Sequence, residues 1–239
     1  MLNTLYMPFR HWSEGGTIYV YSDPHLSDEE MVHIRKNYIG DEEQIRRINS
    51  KVGKKDTLII LGDVGNVEMI KLIRGYKVLV MGNHDSGATN YQRVIGPAMH
   101  YVSLNAALEA RSRGEIDVIT TNRFGYIGRK DNRLFDEVYE RPLFISEKIL
   151  LSHEPIYFPF AFNIHGHDHS NWSSSTPDTH HLNVCAEHID YTPVNLTSLI
   201  KKGVASKVDT IHRETIDNAT ERKKKRGGKR PSEIYAKLN

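Results

Sequence analysis

Short apolar runs separated by polar turns dominate the first third of the chain. Thr17 to Tyr21 (TIYVY) is β-branched and aromatic and runs straight into Ser22-Asp23-Pro24-His25, which reads as a strand followed by a turn. Ser27 with Glu30 three residues on has the capping-box pattern, and Met31, Ile34 and Tyr38 follow at helical spacing, so a helix is predicted to begin there. Gly40 ends it, and Asp41 with Gln44 predicts the cap of a second helix carrying Ile45, Ile48 and Val52 as far as Gly53. Thr57 to Leu61 (TLIIL) reads as a buried strand. The rhythm then repeats: Asn66 predicts the cap of a short helix with Val67, Ile70 and Ile73 inward, Gly75 closes it, and Lys77 to Met81 (KVLVM) is the next strand.

Beyond Pro97 the alternation weakens. A helix is predicted around Leu104 to Arg111, after which a Gly- and Arg-containing stretch up to Arg133 has no assignable period. Later strands are predicted at Leu143 to Ile145, Ile149 to Leu151, Phe162 to Ile164 and Leu182 to Cys185. Strands alternating with helices argue for an α/β layered fold.

Composition adds three constraints. At 239 residues the chain can bury one sizeable core, and one domain over residues 1–220 with a tail at 221–239 is the expected division. No run approaches the roughly 18 apolar residues that span a bilayer. The first sixteen residues, interrupted by Asn3, Pro8, Arg10 and His11, read as an arm rather than a secretory signal. The single cysteine, Cys185, excludes an internal disulfide, fits a reducing and cytoplasmic location, and is expected to be a small buried hydrophobe. Charge is uneven: residues 221–239 carry eight basic and two acidic side chains (+6), against 24 basic and 28 acidic in the rest (−4). The tail is expected to be disordered alone, and its basic run at 222–230 has the charge to bind nucleic acid without sequence preference. With only Tyr235 following to stack on a base, a solubilising tail is the competing reading.

Thirteen histidines are many for this length, and several stand in short clusters. Five polar motifs each follow a strand-like run: Asp23-x-His25, Gly62-Asp63, Gly82-Asn83-His84-Asp85, Ser152-His153-Glu154 and Gly166-His167-Asp168-His169. Singly, an Asp-x-His or a Gly-Asp pair is ordinary turn chemistry. Together, beyond the carboxyl ends of strands in an open α/β sheet, they can converge on one crevice. Imidazole nitrogen mixed with carboxylate and amide oxygen suits Mn, Fe or Zn rather than Mg, Ca or a thiolate zinc site.

In order and kind these motifs resemble the calcineurin-like metallophosphoesterases, over roughly residues 17–200. Phe135 to Tyr139 and Asn183 to Val194 also look like segments of small bacterial and phage members. The resemblance implies a four-layer α-β-β-α sandwich with the metal site at the strand carboxyl ends. It places Asp23, His25 and His169 on one ion, Asn83, His153 and His167 on a second, and Asp63 between them. It implies hydrolysis of a phosphodiester, nucleotide or nucleic-acid-like, by a hydroxide bridging two divalent ions, Mn2+ ahead of Fe or Zn. His84 would bind the phosphoryl oxygen or protonate the leaving oxygen, and Asp85 would orient its ring. His165 or Glu154 would brace ligand rings.

Two departures narrow the reading. Leu26 replaces the glycine many members carry after Asp-x-His, which is expected to tighten the approach to the metals. Gly65-Asn66 follows Asp63 where the Ser/Thr protein phosphatases carry Asp-Arg-Gly, and no tyrosine follows it as in purple acid phosphatases, so neither branch fits. Arg123, Arg129, Lys130 and Arg133 are candidates to clamp a phosphate. His11, His33, His100, His180, His181, His188 and His212 are expected to be structural or surface residues. Two functions compete: a phosphomonoesterase or nucleotide pyrophosphohydrolase on the same site, and a non-catalytic nucleic-acid-binding protein using the tail.

Overall fold

The computed structural model describes residues 1–85, 99–129, 133–169 and 180–225. In chain order the elements are β1 (Ile18–Tyr21), α1 (Met31–Ile34), α2 (Asp41–Lys51), β2 (Thr57–Leu61), β3 (Tyr76–Val80), β4 (Met99–Tyr101), α3 (Leu104–Ser112), β5 (Val118–Asn122) and β6 (Gly125–Arg129). They continue with β7 (Glu137–Tyr139), β8 (Leu143–Phe144), β9 (Ile149–Leu151), β10 (Phe162–His165), β11 (His181–Asn183), β12 (Val194–Asn195), α4 (Leu196–Lys201) and α5 (Ile211–Lys225). A five-stranded sheet of order β12-β1-β2-β3-β7 faces a four-stranded sheet of order β11-β10-β9-β8.

The sandwich core explains why the central strands lack polar alternation. In β2, Ile59 and Leu61 point between the sheets with Val20, Val80, Leu151 and Ile164. Leu58 and Ile60 point the other way, onto Ile45, Ile48 and Val52 of α2 and its end. A parallel strand covered on both faces must be apolar throughout. Ile59 is fully buried, so Ile59→Ala should cost about 2–5 kcal/mol, read as a lower urea midpoint.

Topology places the site. β1, β2 and β3 are mutually parallel, with Tyr21 opposite Ile60 and Leu61 opposite Val80, so their carboxyl ends are level. β9, β10 and β11 are parallel in the second sheet. The five polar motifs emerge from these ends.

Three local expectations change. The first helix is a single turn: Ser27 has φ 59° and gives its amide to Asp41, Asp28 caps Glu30, and at Arg35 the backbone is already extended. Asp41, expected to cap α2, accepts from Ser27 and Tyr38 instead, and Gly40 at φ 79° leads into the helix. The stretch without a period is a hairpin, β5 and β6, completed by β4 into a small antiparallel sheet packed on Ala107 and Ala110 of α3. Much of β5 is exposed, so no apolar alternation announces it.

α5 reaches Lys225 and so takes in the first residues of the basic segment, which was expected to be coil from Glu221. Residues 226–239 lie outside the described residues, as do Pro97 and Lys130. No helix among the described residues is long and apolar enough to cross a membrane.

Candidate metal centre

Every motif turn carries its polar side chains to the same place, and backbone strain marks the turns. Asp23, His25, Asp63 and His167 all have positive φ, between 45° and 67°. For non-glycine residues that costs about 1–3 kcal/mol each and persists only where surroundings enforce it. Glycines in the facing turns leave room for the two carboxylates. A Cβ on Gly166 would lie 2.1 Å from Asp23 Oδ2, and one on Gly82 would lie 2.3 Å from Asp63 Oδ1.

The seven residues expected as ligands form two abutting sets. In one, His169 Nε2 is 3.4 Å from Asp23 Oδ1, and His25 Nε2 is 4.0 Å from Asp23 Oδ1 and 3.6 Å from Asp63 Oδ2. In the other, His153 Nε2 lies 3.3 Å from Asp63 Oδ2, 2.9 Å from Asn83 Oδ1 and 3.1 Å from His167 Nδ1. Asp63 Oδ2 belongs to both. Atoms bound about 2.1 Å from one ion sit about 3–3.5 Å apart; the second set, at 2.9–3.3 Å, is close to that, and the first, at 3.4–4.0 Å, is somewhat wider.

The opposite atom of most of these groups is already engaged by the protein. His153 Nδ1 donates to Leu61 O at 2.8 Å, which fixes the tautomer and leaves Nε2 as a bare lone pair. His25 Nδ1 faces Asp28 Oδ2 at 3.2 Å, and His169 Nδ1 faces Glu187 Oε1 at 2.6 Å. Asp23 Oδ2 accepts from Ser22 Oγ, the His167 amide and Cys185 Sγ, and Asp63 Oδ1 accepts from the His84 amide. Asp23 Oδ1 and His25 Nε2 are left buried without a hydrogen-bond partner. Lone pairs aimed at one another in a buried pocket need a cation between them. The residues therefore fit divalent metal, through nitrogen and oxygen donors.

Residues 16–191 match the sequence profile of Metallophos, the calcineurin-like phosphoesterases. The chain belongs to the calcineurin-like phosphoesterase family. No curated protein matches it. A crystal structure of a protein of unknown function, AQ665 from Aquifex aeolicus, is similar in fold, with a TM-score of 0.50 and 22% identity over 77% of this chain and 98% of that one. Family membership makes this phosphoesterase a metal-dependent hydrolase of phosphoric esters, and the sandwich is the family's.

Around the centre, several roles differ from expectation. Asp85 does not orient His84: its carboxylate accepts from the amides of Gly82, Asp63 and Val64, and so ties the turn after β3 to the turn after β2. His84 is exposed, with its ring 5.8 Å from that of His25. His165 Nδ1 lies near Gly166 O and Glu154 is exposed, so the carboxylates bracing ligand rings are Asp28 and Glu187. Leu26 does not narrow the approach; its side chain is buried in the core under α2. Cys185 is buried as expected, but its thiol also serves Asp23. Arg123 lies over the Phe124 ring of the β5–β6 turn. His11 pairs with Glu137, and His188 faces Asp168 O beside the site.

Without metal, the site holds protons instead. Burial alone would lower His153, but its hydrogen bond to Asp63 and the charges of Asp23 and Asp63 raise it to about 9. His169, also opposed by burial, is raised to about 9 by Asp23 and Glu187. These protons stabilise the metal-free fold fully below the ordinary histidine value, and that contribution is lost as pH rises through about 9. A metal ion must displace them. Mn2+ affinity by calorimetry should therefore climb with pH up to about 9, by about tenfold per unit for each proton released; a flat profile would contradict these assignments.

Proposed function

We propose that this phosphoesterase hydrolyses a phosphodiester of nucleotide or nucleic-acid-like chemistry, using two divalent ions, Mn2+ ahead of Fe or Zn. Asp23, His25 and His169 would hold one ion, Asn83, His153 and His167 the other, and Asp63 would serve both. The single observation that carries this reading is the position of Asp63 Oδ2, within 3.6 Å of His25 Nε2 and 3.3 Å of His153 Nε2. The donor set is nitrogen and oxygen, with the one nearby thiol turned toward Asp23 as a donor, which supports Mn, Fe or Zn. Bound there, the ions supply positive charge against the phosphate oxygens and acidify water. His84, exposed beside the cluster with its amide held by Asp63, is the side chain we assign to binding the phosphoryl oxygen or protonating the leaving oxygen.

A diester carries one negative charge where a monoester carries up to two. With two divalent ions set against the buried carboxylates of Asp23 and Asp63, the occupied centre would stay cationic and attract either ester, so the diester reading is decided by relative rate. The test is kcat/KM on bis(p-nitrophenyl) phosphate against p-nitrophenyl phosphate with Mn2+ present. Faster diester cleavage supports the reading, and a monoester preference of tenfold or more overturns it.

A further inference from the structure

Beneath the centre lies a buried arginine that binds no predicted substrate and lies far from the basic tail in sequence. Arg35 stands where α1 has just ended, and its extended backbone turns the side chain inward. The side chain is fully buried, with its guanidinium 6.0 Å from the centre of the Tyr191 ring. Two of its contacts matter. Nη2 donates to the carbonyl of Asp23, and Nε lies 3.3 Å from Glu187 Oε2. The other oxygen of Glu187 faces His169 Nδ1 at 2.6 Å.

Asp23 follows β1 of one sheet and His169 follows β10 of the other, so a single guanidinium links ligands contributed by both halves of the sandwich. The neighbouring carbonyl, Pro24 O, accepts from the buried Gln44 side chain of α2. The turn bearing Asp23 and His25 is thus gripped at two successive carbonyls from below, in the backbone conformation that a free chain would abandon.

We propose that Arg35, acting through Glu187 and the Asp23 carbonyl, is a positioning residue for the Asp23/His25/His169 half of the metal centre. The Asn83/His153/His167 half is braced by Leu61 O and tied to Asp23 only through the His167 amide and the shared Asp63, so the Asp23/His25/His169 half should respond more strongly. This inference rests on the two-ion reading above. Loss of such outer partners typically weakens metal binding by about 10–100-fold.

The experiment is Mn2+ titration by calorimetry, with metal content per chain, on the full-length protein and three variants. Arg35→Met leaves the part-buried Glu187 with His169 but without its arginine partner and can destabilise the fold by itself. Glu187→Gln keeps an oxygen near His169 while removing the charge. The double variant removes both charges, which should restore much of the melting temperature lost in Arg35→Met. The expected result is that all three weaken one Mn2+ site about 10–100-fold and the other distinctly less, and that the double variant recovers stability without recovering affinity. If affinity recovers along with stability, Arg35 is only structural and the proposal fails. Two unaltered sites in Glu187→Gln would also overturn it. Wild-type protein that binds no Mn2+ would instead sink the two-ion reading on which it rests.

Discussion

Asp63→Ala should abolish hydrolysis, by at least about 10³-fold in kcat, and lower the bound metal per chain. Its Oδ2 is the one acceptor shared by the two donor sets, and metal stabilisation of phosphoryl charge is worth several kcal/mol, with each 1.36 kcal/mol a factor of about ten. Because Oδ1 also holds the His84 amide, the alanine variant disturbs the neighbouring turn as well as the charge. Asp63→Asn separates the two effects. It retains an oxygen for that amide and nearly the same shape, so above a pH of about 9, where the His153 proton no longer contributes, it should melt close to wild type in the metal-free state yet lose nearly as much activity. Metal content and rate measured on both variants check this; an Asp63→Asn enzyme within tenfold of wild type would mean that the shared carboxylate charge is dispensable.

His84→Ala should behave differently. Here kcat is expected to fall about 10²- to 10⁴-fold, the usual contribution of a positioned acid or base, while metal content stays nearly the same. The His84 ring stands 5.8 Å from that of His25, outside the two sets, whereas the donor atoms of the seven residues lie within 2.9–4.0 Å of a neighbouring donor. If the variant loses metal, His84 is a ligand and its assigned role is wrong. Asp85→Asn supplies a contrast: since the Asp85 carboxylate gathers three backbone amides, this change should lower the melting temperature as well as the rate.

The contrast between His84 and Asp85 shows what the sequence could and could not disclose. Strand-end chemistry is local: Asp23, Asp63 and Asn83 stand within three residues of β1, β2 and β3, and a parallel, level sheet makes those short spacings converge. The apolar run of β2 was legible for the same reason, since burial on both faces leaves a continuous signature. Contacts across the sandwich leave no such trace. Asp85 was paired with its chain neighbour because adjacency is all a sequence displays, while its real partners include the turn after β2.

Arg35 was hidden inside a stretch with helical spacing, which concealed that the helix stops just before it. Asp28 lies between Ser27 and Glu30, whose spacing points only to a helix start, though its side chain braces His25. Glu187 was within reach of the strand-end rule: it follows β11 by a few residues, as the ligands follow their own strands. The hairpin of β5 and β6 was illegible because its exposed face offers no apolar alternation, and a small sheet packed on two alanines of α3 needs few large side chains to declare it.

The claim that a two-ion centre performs phosphoester hydrolysis is tested most directly by titrating Mn2+ into chelator-stripped, full-length protein while following bis(p-nitrophenyl) phosphate cleavage. The expected result is no cleavage in the stripped state and a rise that saturates when two ions per chain are bound. Cleavage that persists in chelator, or protein carrying two ions that cleaves neither diester nor monoester, would contradict it.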